Sequence, residues 1–138
     1  MSFTFTFRGD PHPQKQTQFT KNGFTYNPSK KDEDWIKFQV LKEWPYPPLT
    51  KPVKVNMEFW LKIPKSMRKK DQSLIADGDE SVPNFPFHAK RPDLDNLEYL
   101  VCNALKGIVY KDDSQICDMY LKKRYSFDPR TVVTIEEI

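Results

Sequence analysis

The stretch HAKRPDLDNLEYLVCNALKGIVYKDDSQI, residues 88–116, decides the fold. From Leu94 onward its apolar side chains recur three and four positions apart, which is the period of an amphipathic helix. Gly107 follows the last of them, and glycine is common just past a helix C-terminus. The pattern predicts a helix from about Leu94 to Gly107, whose apolar side is formed by Leu97, Leu100, Val101, Ala104 and Leu105.

Segments with alternating apolar and polar residues lie on both sides of this helix. The clearest alternation covers residues 53–63, and another opens the chain at residues 3–7. Residues 116–125 and 131–135 supply two more segments of the same kind. Because a period of two is typical of strands with one buried face, the sequence predicts four strands.

A second helix is predicted over residues 29–43, before the longest strand. Asp32 and Glu33 lie near its start, where the helix dipole favours negative charge, and Pro45 ends it. Helical spacing divides this segment into an apolar stripe and a charged face, to which we assign Trp35, Ile36, Gln39, Val40 and Glu43.

Two polar segments connect these elements. Residues 9–28 indicate a loop or hairpin, in which Asn22-Gly23 is a strong turn signal. Residues 64–87 have no sustained period and predict a short turn of helix followed by a flexible connector. The order of elements indicates an α+β fold, a mixed β-sheet with two main helices packed on it, in a single domain spanning residues 1–138.

The composition is that of a globular protein with a polar surface. The chain has 138 residues, of which 38% are hydrophobic, 14% aromatic and 30% charged, so wholesale disorder is excluded. No run approaches the roughly 18 consecutive apolar residues that a membrane span needs, and the alternating N-terminus does not resemble a targeting segment. We therefore expect a cytoplasmic protein with no membrane partner.

Charge and cysteine content narrow the partners further. The 22 Lys and Arg residues exceed the 19 Asp and Glu residues by a formal net charge of +3. This excess is compatible with a polyanionic partner but too small for a protein that coats DNA nonspecifically. Cys102 and Cys117 are too few for a disulfide scaffold, and we expect both to be reduced and buried.

Acidic residues flank the helix of residues 94–107 on both sides. Asp93 and Asp95 stand two apart at its start, where an extended backbone would place their side chains on one face roughly 6–7 Å apart. Asp112 and Asp113 follow the helix, and a strand-turn-helix-turn-strand path would return them to the same edge of the sheet. Such a cluster needs a cation, and Mg²⁺ prefers oxygen ligands.

Each acidic pair also has a purely structural interpretation. Asp93 or Asp95 serves in it as a helix N-cap, and Asp112 and Asp113 belong to an ordinary turn. The joint occurrence of the two pairs beside Lys90 and Arg91 favours a site instead.

Residues 88–125 resemble the RusA-type Holliday-junction resolvases. The family signature is Arg-x-Asp-x-Asp-Asn, a helix, Asp-Asp-Ser-Gln and a strand that contains Lys, which this chain matches with RPDLDN and DDSQ. The segments GDPHPQKQ and FTYNP are similar to the family more weakly, so the resemblance spans most of the chain.

The resemblance implies a Mg²⁺-dependent endodeoxyribonuclease of DNA recombination and repair, with Mn²⁺ as a possible substitute. It would bind four-way DNA junctions as a homodimer and make paired cuts in opposing strands. By motif, Asp93, Asp95 and Asp113 match the catalytic metal ligands, Asp112 takes a lesser part that shapes the turn, and Asn96 is a supporting residue.

Two positions depart from the family pattern. Tyr99 stands where members commonly have Lys, and Asn103 where many have Asp. Lys106 and Lys122 are the candidate replacements for the missing ammonium group. The alternative is a junction-binding protein with weak or lost cleavage, and a third reading is a metal-bound structural or adaptor protein without a nucleic-acid role.

Several basic residues are candidates for DNA contact. Near the cut phosphate we place Lys90, Arg91 and Lys106. A second cluster would follow the backbones of the junction arms or form a solvated loop, and it consists of Lys65, Arg68, Lys69 and Lys70.

Aromatic residues have two possible parts. Phe85 and Phe87 either form a wedge at the junction centre or anchor their loop. For the tryptophans we favour packing over base stacking, and these are Trp35, Trp44 and Trp60.

Overall fold

The computed structural model of the protein describes residues 2–75 and 87–138. Its strands are β1 (Ser2–Arg8), β2 (Gln18–Phe19), β3 (Thr25–Tyr26), β4 (Val53–Lys62), β5 (Ile116–Ser126) and β6 (Arg130–Glu137). Its helices are α1 (Lys30–Glu43), α2 (Lys69–Gln72) and α3 (Leu94–Leu105), and a 3-10 turn covers Asp113–Gln115.

Four strands form one mixed sheet in the order β1-β6-β4-β5. Strand β6 is antiparallel to both β1 and β4, whereas β4 and β5 run parallel. Parallel neighbours need a long crossover, which the segment containing α3 provides between β4 and β5. The predicted α+β fold is confirmed, and the acidic segments lie at the two ends of the crossover helix.

The core lies between the sheet and helices α1 and α3. Alternate residues of β4 point into it, and Val53, Val55 and Met57 have no solvent exposure. Helix α3 covers them with Leu97 and Leu100. Each such side chain contributes about 1.5–3 kcal/mol through burial, so the core fixes the helix on the sheet.

Helix α3 ends at Leu105, two residues earlier than the glycine signal predicts. Lys106 already has extended backbone, and Gly107 adopts a φ of +82°. A side chain at position 107 would be strained at that angle, which explains the glycine. The Gly107 amide donates to the carbonyl of Tyr110 at 2.7 Å and turns the chain toward the Asp112 segment.

Helix α1 matches its predicted bounds but not its predicted stripe. Ile36 and Val40 are buried, as expected, whereas Trp35 keeps 45% of its surface exposed. Its position one residue before Ile36 places it at the border of the buried face. Glu33 is buried in the first turn and accepts a hydrogen bond from the Asn27 amide at 3.2 Å.

The connecting segments follow their sequence signals where they are described. Strands β2 and β3 form the predicted hairpin, with Gly23 at a φ of +82°. Helix α2 is the predicted short turn of helix, and residues 76–86, including Phe85, lie outside the described residues. The prediction of two buried thiols is wrong for Cys117, which is exposed at the start of edge strand β5. Each helix described in residues 2–75 and 87–138 is too short or too polar to span a bilayer.

Candidate functional site

Asp93 occupies the N-cap position of α3, but its side chain does not cap the helix. The carbonyl of Asp93 accepts the Leu97 amide at 3.1 Å, while the carboxylate makes no capping hydrogen bond. A helix N-terminus still favours the negative charge of this group. The capping interpretation therefore leaves the Asp93 carboxylate without a structural task.

Asp95 lies in the first turn of α3 and is exposed. The expectation that Asp93 and Asp95 leave one face of an extended backbone is wrong, because the helix begins at Leu94 between them. Within residues 2–75 and 87–138, neither carboxylate has a hydrogen-bond or ion-pair partner. Both groups are open to a ligand from solution.

A cleft of about 610 Å³ opens beside Asp93. Arg91 and Asn96 line it from the α3 side, and Asp10 and Gln14 line it from the loop after β1. The Gln14 amide donates to the Asn96 carbonyl at 2.8 Å, so the loop is fastened across the start of α3. The cleft thus combines carboxylates with an exposed guanidinium group.

Asp112 shapes the turn after α3. Its carboxylate accepts hydrogen bonds from the Ser114 amide at 3.2 Å and the Ser114 hydroxyl at 2.6 Å, and the Gln115 side chain completes a capping box. It also pairs with the Lys106 ammonium at 3.2 Å. These partners lower the pKa of Asp112 to about 2, and the hydrogen bonds from Ser114 contribute most to this shift. Asp112 is accounted for by local structure.

Asp113 has a different environment from its neighbour. It is half-buried, and its Oδ1 atom is buried without a hydrogen-bond partner among the residues that the structure describes. Asp113 lines a cleft together with Glu98 and Cys102 of α3. Burial is the main cause that raises the pKa of the Cys102 thiol, and interactions with Glu98 and Asp113 raise it further. An unpaired buried carboxylate oxygen is costly, so local structure alone does not explain Asp113.

The three predicted ligands are not gathered into one preformed cluster. Asp93 lines the cleft beside Arg91, while Asp113 lines the cleft beside Glu98. In the described part of the chain, no three His, Cys, Asp or Glu side chains form a group that could hold a metal ion. The meeting of Asp93, Asp95 and Asp113 around one ion therefore stays a prediction.

The donors themselves fit a hard divalent cation. Within the described part of the chain, Asp113 has a buried oxygen without a hydrogen-bond partner, and the Asp93 and Asp95 carboxylates have no partner. Mg²⁺ commonly uses only one or two carboxylates and completes its shell with water and substrate phosphate oxygens. Residues Asp95 and Glu98 lie one helical turn apart, so α3 connects the Asp95 end with the Asp113 cleft.

Lys123 approaches this site, although the sequence pointed to Lys122. The Lys123 ammonium donates to the carbonyls of Lys90 at 2.7 Å and Pro92 at 2.9 Å, directly before Asp93. Lys122 lies opposite Glu58, one residue out of phase, so it points to the other face of the sheet. Met119 and Leu121 point inward, and position 123 continues their alternation. The alternation of β5 therefore predicts that Lys123 also points inward.

The predicted DNA-contacting cations divide into three groups. Lys90 and Arg91 are exposed beside Asp93. Lys106 is tied to Asp112, whose hydrogen bond raises the pKa of the lysine. The second cluster follows β4 near its end, where Arg68 pairs with Asp71 at 3.1 Å and the other members are the exposed Lys65, Lys69 and Lys70.

The two departures from the resolvase pattern lie on the side of α3 under the loop after β1. Tyr99 is half exposed, and the Asn103 amide reaches the Gln14 side chain at 3.5 Å.

Among the tryptophans, Trp44 and Trp60 are buried, which confirms packing for these two. Trp35 is the exception, because nearly half of its surface is exposed.

Comparison with known proteins identifies a family and a similar protein. The chain matches the family described as Endodeoxyribonuclease RusA over residues 8–136. It is also similar to a protein of Bacillus subtilis (strain 168) named Uncharacterized protein YqaN, with 29% identity over 97% of this chain and 95% of that protein.

Proposed function

Since this chain belongs to the RusA endodeoxyribonuclease family, we propose that it resolves four-way DNA junctions by Mg²⁺-dependent paired strand cuts. One contrast carries the proposal. Asp93, Asp95 and Asp113 have carboxylate oxygens with no partner in the described protein, whereas the Asp112 carboxylate is engaged by Ser114 and Lys106.

Asp93, Asp95 and Asp113 would hold Mg²⁺, or Mn²⁺ in its place. The bound ion would supply a nucleophilic water at neutral pH and would relieve the negative charge on the phosphate. The protein's own residues bring the DNA to this place. Lys90 and Arg91 attract the phosphate backbone.

Lys123 positions the segment that carries these groups. Its two hydrogen bonds to the carbonyls of Lys90 and Pro92 fix the backbone on which Arg91 and Asp93 stand. Charge-assisted hydrogen bonds of this kind are stronger than neutral ones. Lys123 therefore acts through Asp93 and Arg91 and does not itself need to contact DNA.

A homodimer is part of the proposal. A four-way junction has nearly two-fold symmetry, and paired cuts in opposing strands require two sites related by a two-fold axis. Two copies of this chain would provide them.

A second candidate function is junction binding with weak cleavage. The observation that favours it is the absence of the ammonium group that family members commonly carry at the position of Tyr99. Neither candidate replacement supplies it directly, because the Lys106 ammonium group pairs with Asp112 at 3.2 Å and Lys122 points to the other face of the sheet.

The test is incubation of a labelled four-way junction with Mg²⁺ or with EDTA. We expect nicks in Mg²⁺ alone, and we expect Asp95→Asn to bind the junction without nicking it. Asp112→Asn is the matched control and should keep cleavage. Retardation of the junction without any Mg²⁺-dependent product would favour the binding function.

The adaptor reading makes a separate prediction. It requires no preference for the junction over duplex DNA and little dependence of binding on salt concentration. Fluorescence titration of both DNAs at two salt concentrations distinguishes it from the two DNA-binding functions.

A further inference from the structure

A further cavity, of about 430 Å³, lies beside the cleft at Asp93. Its apolar lining comes from β1, α1 and α3 through Phe7, Ile36 and Leu100, and Trp35 stands at its exposed side. The cavity is large enough for one planar ring system and is built from elements of the core. Phe7, Ile36 and Leu100 are therefore held in place by the packing of the core.

Trp35 is the side chain that sets this cavity apart. Its ring packs edge-on against Phe7, with centroids 6.4 Å apart and an interplanar angle of 66°. It nevertheless keeps 45% of its surface exposed, while Trp44 and Trp60 keep 5% and 3%. A fixed and half-exposed indole is a platform on which a nucleobase can stack.

Polar groups surround the apolar lining. Asp32 and Asp10 offer hydrogen-bond acceptors, and Lys31 and His12 offer nitrogen atoms. Nucleobases present donors and acceptors at their edges, and the phosphate that accompanies a base is attracted by Lys31. Apolar walls with a mixed polar edge suit a nucleotide better than a purely apolar ligand.

The cavity shares a wall with the cleft at Asp93. Asp10 and Pro11 line both spaces. The Asp10 carboxylate accepts the Lys62 amide at 3.0 Å, which ties this wall to the end of β4. A nucleotide bound in the cavity would therefore be a close neighbour of one bound at Asp93.

We propose that this cavity receives one unstacked nucleobase of the DNA, near the phosphate that is cut, and that it stacks on Trp35. The inference rests on the proposed nuclease function and deepens it, because a pocket for one base gives cleavage a sequence preference. Junction centres suit this recognition, since their bases unstack more readily than those of a continuous duplex.

The test combines protein variants with altered junctions. Junctions carrying one abasic site at successive positions near the cut are cleaved by the wild type, Trp35→Ala, Trp35→Phe and Phe38→Ala. Phe38 is the matched control, because it is 58% exposed on the same helix and does not line the cavity.

We expect one abasic position to lower wild-type kcat/KM by about tenfold, the size of one lost stacking contact. Trp35→Ala should lower it by a similar factor on the intact junction and add little on that abasic junction. Trp35→Phe should restore most of the rate, and Phe38→Ala should match the wild type. Effects of Trp35→Ala and the abasic site that simply multiply would overturn the inference.

A binding measurement separates this inference from the nuclease proposal. With 2-aminopurine at the identified position, or scanned across the junction centre, binding in EDTA should change its fluorescence in a way that Trp35→Ala abolishes. That signal without cleavage in Mg²⁺ would support the cavity and contradict the nuclease function. Cleavage with no effect of Trp35→Ala on either readout would support the nuclease function and contradict the cavity. Absence of DNA binding would overturn both the cavity and the nuclease function.

Discussion

The acidic segments before and after α3 use their carboxylates in different ways. After the helix, Asp112 has a hydroxyl, an amide and an ammonium group as partners, and its pKa falls to about 2. Before the helix, Asp93 and Asp95 have no such partners in the described chain. Asp113 lies in the second segment, but like Asp93 and Asp95 it has a carboxylate oxygen with no partner among the described residues. Neighbouring acids of identical chemistry thus differ in whether the described protein engages their carboxylates.

The largest expected effect separates Asp113 from Asp112. Asp113→Asn should lower cleavage roughly 100-fold or more, as is usual when charge stabilisation at a reacting phosphate is lost. The unfolding midpoint in urea should not fall, because the change removes a carboxylate that is half-buried with an unpaired oxygen. Asp112→Asn should behave in the opposite way, with cleavage kept and the midpoint lowered. Equal behaviour of the two variants in both assays would break the comparison.

The next effect concerns the ammonium group that supports the first segment. Lys123→Met removes two hydrogen bonds to the Lys90 and Pro92 carbonyls and should lower cleavage about tenfold. Lys123→Arg should recover part of the loss, and Lys122→Met is the control on the other sheet face.

A positioning role for Lys123 has its own readout. The Mg²⁺ concentration for half-maximal cleavage should rise in Lys123→Met, while junction affinity in EDTA stays the same. Weaker binding in EDTA with an unchanged Mg²⁺ requirement would identify Lys123 as a DNA contact instead.

A smaller effect is expected from pH at His88, which precedes the first segment. Burial is the main cause that lowers the pKa of His88, and the Nδ1 atom of His88 is buried with no hydrogen-bond partner in residues 2–75 and 87–138. Below pH 6.5 the unfolded chain takes up a proton that the folded chain does not, so stability falls until the pH reaches the lowered pKa. Urea unfolding at pH 7.5, 6.5 and 5.5 should show this fall, and His88→Phe should reduce it. A profile that His88→Phe leaves unchanged would exclude the histidine as its source.

The smallest effect should come from the exposed cations of the second cluster. Lys69→Ala should weaken binding of junctions of any sequence and should reduce the slope of log affinity against log salt by about 1. Lys42→Ala is the control, because Lys42 is also exposed but lies on α1, over the Phe38 ring, and not in the second cluster. Fluorescence titration from low to moderate salt measures both. An unchanged slope in Lys69→Ala would make the cluster a solvated surface.

The sequence predicts the fold well because hydrophobic periodicity follows directly from burial. The alternation in residues 53–63 became β4, and the spacing from Leu94 became α3. The family is confirmed over residues 8–136, a range that includes the segment of the resemblance. These signals are repeated over many positions, so local exceptions do not change the result.

The site is less predictable because it depends on single positions. Asp93 and Asp95 do not share one face of a strand, because the helix begins at Leu94 between them. Similarly, a shift of one position along β5 decides that Lys123, and not Lys122, approaches the site. Helical spacing predicts Trp35 in the apolar stripe of α1, although its position at the border of the buried face leaves it 45% exposed. The distance between Asp113 and the acids before α3 depends on tertiary packing, which periodicity does not specify.

The most direct measurement of the central claim is electron paramagnetic resonance of Mn²⁺ bound by the protein with a junction made uncleavable at the cut phosphate. We predict that the wild type and Asp112→Asn bind Mn²⁺ equally, whereas Asp95→Asn and Asp113→Asn each lose most of the bound signal. Retention of wild-type Mn²⁺ binding by Asp113→Asn would contradict a shared metal site of Asp93, Asp95 and Asp113.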